Sequence, residues 1–124
     1  MTLTVSPLPK TWLIDVDGTL FAHNGHLAGE DRLLPGAKDF LAALPAADRV
    51  ILLTARSEAH RAATLAALAR HDLRYDDILF GLPVGERLLI NDRKPSGLAT
   101  AHAINLDRDQ GPAALLNDIV VGDI

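Results

Sequence analysis

Two carboxylates, one residue apart, close an apolar run in Trp12-Leu13-Ile14-Asp15-Val16-Asp17-Gly18-Thr19-Leu20. A buried strand that ends in charge is unfavourable unless a cation, a phosphate or catalysis offsets the charge. Strand residues two apart face the same side, so Asp15 and Asp17 can converge on one ligand. A strand followed by a solvated Asp-Gly turn would use the same residues, so the pair gains meaning only from partners further along the chain. Thr54 ends the run Val50-Ile51-Leu52-Leu53, and Asn91-Asp92 ends Leu88-Leu89-Ile90. Three apolar runs thus deliver oxygen-bearing side chains, and Arg56, Arg87 and Lys94 stand nearby in sequence as cations.

The elements that must position these groups can be read from periodicity and punctuation. Residues 1–10, with Pro7 and Pro9, read as a loose leader, and Thr11–Asp15 as the first strand. Residues 18–34 carry several glycines and charges without periodicity and read as a loop or small flap. Pro35 is suited to opening a helix. Ala37, Phe40, Leu41 and Leu44 recur at helical spacing, and Pro45 stops the run. A second strand covers 49–54, and Ser57 is placed to cap a helix running to about His71. A short strand at 78–80, a loop at 81–85, strands at 87–92 and 101–106, and a last helix opened by Pro112 complete the reading. Strands alternating with helices predict an α/β fold, Rossmann-like, with a mostly parallel sheet covered on both faces in three layers. Ligands of such sheets bind beyond the carboxyl ends of the strands, which is where the acids and Thr54 fall. One connection resists this picture: about seven residues separate Phe80 from Leu88, where a parallel crossover needs a dozen or more.

A chain of 124 residues predicts a single domain spanning 1–124. It is 48% apolar and only 4% aromatic, so its core must be aliphatic. The net charge of −4 argues against general nucleic-acid binding, which needs a basic footprint. There is no cysteine, which excludes disulfides and thiol chemistry. No apolar stretch approaches the roughly 20 residues of a membrane span, and the first ten residues lack the order of a secretion signal; the expectation is a cytoplasmic protein. The five histidines show no helical metal-ligand spacing and are expected to be structural or solvent-facing. Arg61, Arg70 and Arg74 read as a solvated helix face and its end, and Trp12 as core.

Taken together, the strand-end residues resemble the haloacid dehalogenase (HAD)-like superfamily of phosphotransferases, in its small phosphatase type without a large cap domain. The resemblance covers residues from about 11 to 106. Its first motif is matched by Asp15-Val16-Asp17-Gly18-Thr19, its second by Thr54 in Leu-Leu-Thr-Ala-Arg, and its fourth by Asp92 in Leu-Ile-Asn-Asp-Arg-Lys-Pro. The third, a cation found in some small members within a Gly-Lys-Pro turn, is missing: Gly81-Leu82-Pro83 has leucine there. Lys94 is the favoured substitute, because Arg87 should begin its strand at the far end. The resemblance implies a phosphomonoester hydrolase in which Asp15 forms an aspartyl-phosphate. Asp17 would act as acid and base, and Thr54, Ala55, Gly18 and Lys94 would bind the phosphate. Asp15, the Asp17 carbonyl and Asp92 would hold Mg²⁺. The implied substrate is a small-molecule or polymer-end phosphomonoester, at a site open to solvent unless a second copy of the chain covers it. The alternative is a non-catalytic relative that binds metal, phosphate or a partner. A response-regulator-like receiver fits less well, since its phosphoacceptor should come after an earlier acidic pair and Thr54 has no acid beside it.

Overall fold

A computed structural model describes residues 2–122; Met1, the first residue of the expected leader, and residues 123–124 lie outside it. The centre is a parallel sheet of three strands, β2 (Thr11–Asp15), β3 (Arg49–Leu53) and β4 (Asp77–Leu79), in the order β2-β3-β4. Asp15 pairs in register with Leu53, so Thr54 lies one residue past the end of β3 on the same rim as Asp15. This arrangement of adjacent parallel strands comes from the apolar runs themselves, and it gathers two of the expected strand ends.

The core lies on one side of that sheet. Ile14, Leu52 and Ile78 occupy one register row and are all buried. Against them pack Ala37, Phe40 and Leu41 of α2 (Ala37–Ala43) and Ala67 and Leu68 of α3 (Arg61–Arg70). Thr64, Ala67 and Leu68 recur at the spacing of one helical face. The opposite face differs from the expectation of helices on both sides. Its Leu13 and Leu79 are 47% and 46% exposed. The fold is mixed α/β with parallel sheets, and both long helices bury their apolar faces on the same side.

The loop after β2 is part of the core rather than a free flap. Leu20 and Phe21 are completely buried. The Val16 carbonyl accepts from the amides of Leu20 and Phe21 at 2.9 and 3.0 Å, which winds the chain into a tight turn. Beyond it, α1 (Gly25–Ala28) is a single helical turn. Ser57 precedes a 3-10 turn at Glu58–His60 that leads into α3, but its side chain makes no capping bond.

Three further expectations fail, and one is met in part. The leader holds β1 (Leu3–Val5), paired in parallel with β5 (Ile119–Val121) in a separate two-stranded sheet. The last helix is reduced to the four residues of α4 (Leu115–Asp118), and Ile119 leaves it as strand. Neither 87–92 nor 101–106 forms a strand. For 87–92 the reason is the short link after Phe80, which cannot carry the chain across a sheet face and back into parallel register. The apolar side chains of that run stay in solvent, with Ile90 92% exposed. Trp12 is partly buried, packing edge-on against Phe40 with 5.8 Å between ring centres and donating its indole N–H to Asp48 at 2.9 Å.

Candidate active site at the carboxyl rim of the sheet

Asp15 ends β2 with its carboxylate toward solvent. Its Oδ1 accepts from Nη1 of Arg87 at 2.7 Å, and its Oδ2 receives the Thr19 hydroxyl at 3.4 Å. Arg87 comes to this rim because 81–92 does not form a strand; it folds back instead of starting a ladder at the far end. The cation beside Asp15 is therefore Arg87 and not Lys94. Lys94 sits in an exposed turn, where its amide donates to Leu98 and its carbonyl accepts from Gly97.

Asp17 has a different environment. Both its oxygens accept from Arg56, through Nε at 3.0 Å and Nη2 at 2.7 Å. The same guanidinium reaches Asp31 through Nη1 at 2.9 Å and Nη2 at 2.7 Å, and Nη1 also donates to the Thr64 hydroxyl at 3.0 Å. Only 2% of the Arg56 side chain is exposed. Burial works against its charge, but the bonds to Asp17 and Asp31 prevail and raise its pKa above the ordinary arginine value. Arg56, which stands near the strand ends in sequence, is thus the centre of an internal ion network. A planar fork with five donors is the side chain suited to bridge two carboxylates.

Thr54 is buried, its oxygen accepting from the Arg56 amide at 3.0 Å, with Ala55 exposed beside it. Gly18 adopts φ +83°, a conformation open to glycine, and its amide already donates to the Phe21 carbonyl at 2.7 Å. Arg108 lies over this turn; a Cβ at Gly18 would come within 3.2 Å of its Cγ. The neighbouring Asp109 fastens the two segments, its amide donating to the Gly18 carbonyl and its carboxylate accepting from the His23 amide. Arg108 had no signal in the sequence, because nothing near it marks a strand end.

The set implied for Mg²⁺ was Asp15, the Asp17 carbonyl and Asp92, and the side chains of its first two members have cationic partners here. Asp15 is engaged by Arg87 and Asp17 by Arg56. Asp92 does not join either in a group of potential ligands among the described residues. It belongs to an exposed loop in which the Thr100 hydroxyl donates to the Asp92 carbonyl, and Asn91 donates to Thr100.

A different group of ligand type is present: Asp17, His26 and Asp31 each offer an atom within 4.8 Å of the other two. His26 was expected to be structural or solvent-facing, since no histidine pair has helical metal-ligand spacing. Its Nδ1 is buried and has no hydrogen-bond partner. Burial, then the charge of Arg56, holds the imidazole below its ordinary pKa despite Asp17 and Asp31.

The remaining helix cations are partly structural. Arg74 donates to the carbonyls of Leu44, Pro45 and Asp48 and so ties the end of α2 to the chain after α3. Arg61 pairs with Glu58 at 2.7 Å and stacks over Phe80. No helix among the described residues is long and apolar enough to cross a membrane. No protein-family model, curated protein or solved structure matches the chain.

Proposed function

We propose that this chain is a HAD-like phosphomonoester hydrolase in which Asp15 is the nucleophile and Arg87 the cation that receives the phosphoryl group. The observation that carries this reading is the Asp15–Arg87 pair, at 2.7 Å, with side chains 39% and 38% exposed. A pair so open to water adds little to stability, commonly about 0–1 kcal/mol. A phosphate dianion can therefore insert between the two at small cost and replace one of the guanidinium bonds. Arginine suits this task because its fork matches phosphate geometry.

In the proposed reaction Asp15 attacks phosphorus, the bond to the leaving oxygen breaks, and that oxygen takes up a proton. Water then attacks the aspartyl-phosphate, releasing inorganic phosphate and restoring Asp15. Splitting one displacement into two is the usual contribution of a carboxylate nucleophile. The Thr54 hydroxyl, one residue beyond the register partner of Asp15, is the nearby donor for a phosphoryl oxygen. No step is assigned to a metal ion. Substrates would be small-molecule or polymer-end phosphomonoesters, since the rim has no large lid.

The test is hydrolysis of a panel of aryl and sugar phosphates, with and without Mg²⁺. Turnover that disappears in Asp15→Asn while the fold persists supports the reading, and trapping of an acid-stable, hydroxylamine-sensitive phosphoprotein would locate the intermediate. Turnover unchanged in Asp15→Asn overturns it.

A second reading has its own observation. To protonate a leaving group Asp17 would have to leave the Arg56 network, in which both its oxygens are acceptors. This favours a non-catalytic relative that binds a phosphorylated ligand. Saturable binding of phosphate esters with no turnover across the panel would select that alternative.

A further inference from the structure

We infer that Asp17, His26 and Asp31 form a binding site for a divalent transition-metal ion, of which Zn²⁺ is the type. This inference is independent of the phosphoryl chemistry proposed at Asp15. The three residues come from the turn after β2, from α1 and from the chain between α1 and α2, so the fold and not a sequence motif brings them together.

The unpartnered imidazole nitrogen carries the argument. Buried polar atoms are nearly always satisfied, yet Nδ1 of His26 has no hydrogen bond. It lies 3.8 Å from Oδ1 of Asp17, too far to be bonded to it. Two ligands on one tetrahedral ion, each about 2.1 Å from the metal, lie about 3.4 Å apart. That pair needs to close by only a few tenths of an ångström, and the third ligand atom lies within 4.8 Å of both. An ion there would satisfy the nitrogen and bind the carboxylates beside it.

Charge counting agrees. Two carboxylates and one guanidinium leave a net negative charge among largely buried groups, with a neutral imidazole beside them. Arg56 occupies part of each carboxylate, but an ionised carboxylate offers about four acceptor positions. Its two bonds to Asp31 leave positions free there, one guanidinium serving to orient both ligands. An adjoining cavity of about 240 Å³, lined in part by His26, Glu30, Asp31 and His60, gives access and room for water as a further ligand. One imidazole and two carboxylates favour zinc, cobalt or manganese over Mg²⁺ or Ca²⁺, which prefer oxygen alone.

Cobalt(II) is the probe. The chelator-treated full chain is titrated with Co²⁺ and followed by its visible d–d absorption, then challenged with Zn²⁺ and with Mg²⁺. One equivalent should bind, be displaced by Zn²⁺ and be unaffected by Mg²⁺. His26→Gln should weaken binding at least tenfold, while Asp15→Asn and Asp92→Asn should leave it unchanged. Asp31→Asn should also weaken it; because Asp31 pairs with Arg56, the fold of that variant is checked by thermal melting, and His26→Gln carries the test alone if it does not fold. Absence of saturable binding, equal binding by His26→Gln, or loss of binding in Asp15→Asn overturns the inference. Phosphatase activity enters none of these outcomes.

Discussion

Arg87 and Asp15 are 72 positions apart in the chain and meet at 2.7 Å. Their pairing turns the carboxyl end of β2 from a bare acid into an acid with a cation beside it. It also distinguishes Asp15 from Asp17, whose guanidinium partner is buried.

Replacing Arg87 by alanine should therefore affect ligand handling far more than folding. Turnover of an aryl phosphate should fall by about 10²-fold or more, the range seen when a group stabilising developing charge is removed. The melting free energy should change by no more than about 1 kcal/mol, as for other exposed pairs. Lys94→Ala should retain near-parental rates. Steady-state kinetics and denaturant melts on both variants check this, and a larger loss in Lys94→Ala would reassign the cation.

Arg56→Met should destabilise the chain by about 3–5 kcal/mol, because it leaves Asp17 and Asp31 as neighbouring buried charges. Arg56→Lys should recover little, since a single ammonium cannot bridge two carboxylates and Thr64 in the same plane. Urea unfolding measures both; recovery by lysine to parental stability would contradict the bridging role.

Asp48 accepts from the Lys10 amide and the Trp12 indole, while its carbonyl accepts from Arg74. Asp48→Ala strands two donors and should cost about 2–6 kcal/mol, roughly 1–3 for each unsatisfied group. Trp12 is the sole tryptophan, so its emission reports the change directly. Unaltered emission and stability would show that the indole bond is unimportant.

Glu58 has its pKa lowered chiefly by the hydrogen bond from Arg61. The unfolded carboxyl then takes up its proton at higher pH than the folded one. The pair's contribution is present above the unfolded value and is lost as pH falls through the folded value. A carboxyl-carbon NMR titration should place the Glu58 midpoint below that of an unpaired glutamate, and Arg61→Ala should return it. No movement in Arg61→Ala would remove the pair as the cause.

β2 and β3 were legible in the sequence because each is largely a continuous apolar run, short β4 because Ile78 and Leu79 stand between turn residues, and α2 and α3 because their buried residues recur every three or four positions. The reading failed at 87–92 because the same apolar pattern says nothing about whether the preceding loop can deliver the segment to a sheet. The cation was assigned to Lys94 and not to Arg87 for a related reason, and the part played by Arg56 was equally hidden. Arg56 stands two residues past a strand end, which suggests exposure, yet Asp31 and Thr64 surround it from segments no local pattern connects. His26 was invisible for the same cause, being aligned with Asp17 only after the loop folds inward. Short strands such as β1 and β5 carry too few residues for periodicity to register.

The ribbon of β1 and β5 has its own consequence. Leu3 lies beside Ile119 and Val5 beside Val121, and β5 is continuous with α4, which packs on α2. The segments 3–5 and 119–121 thus clasp each other, and β5 ties that clasp to the body through α4. Deleting β5 would unfasten β1 as well, so loss of Ile119–Val121 should open the stretch before Lys10 to proteolysis.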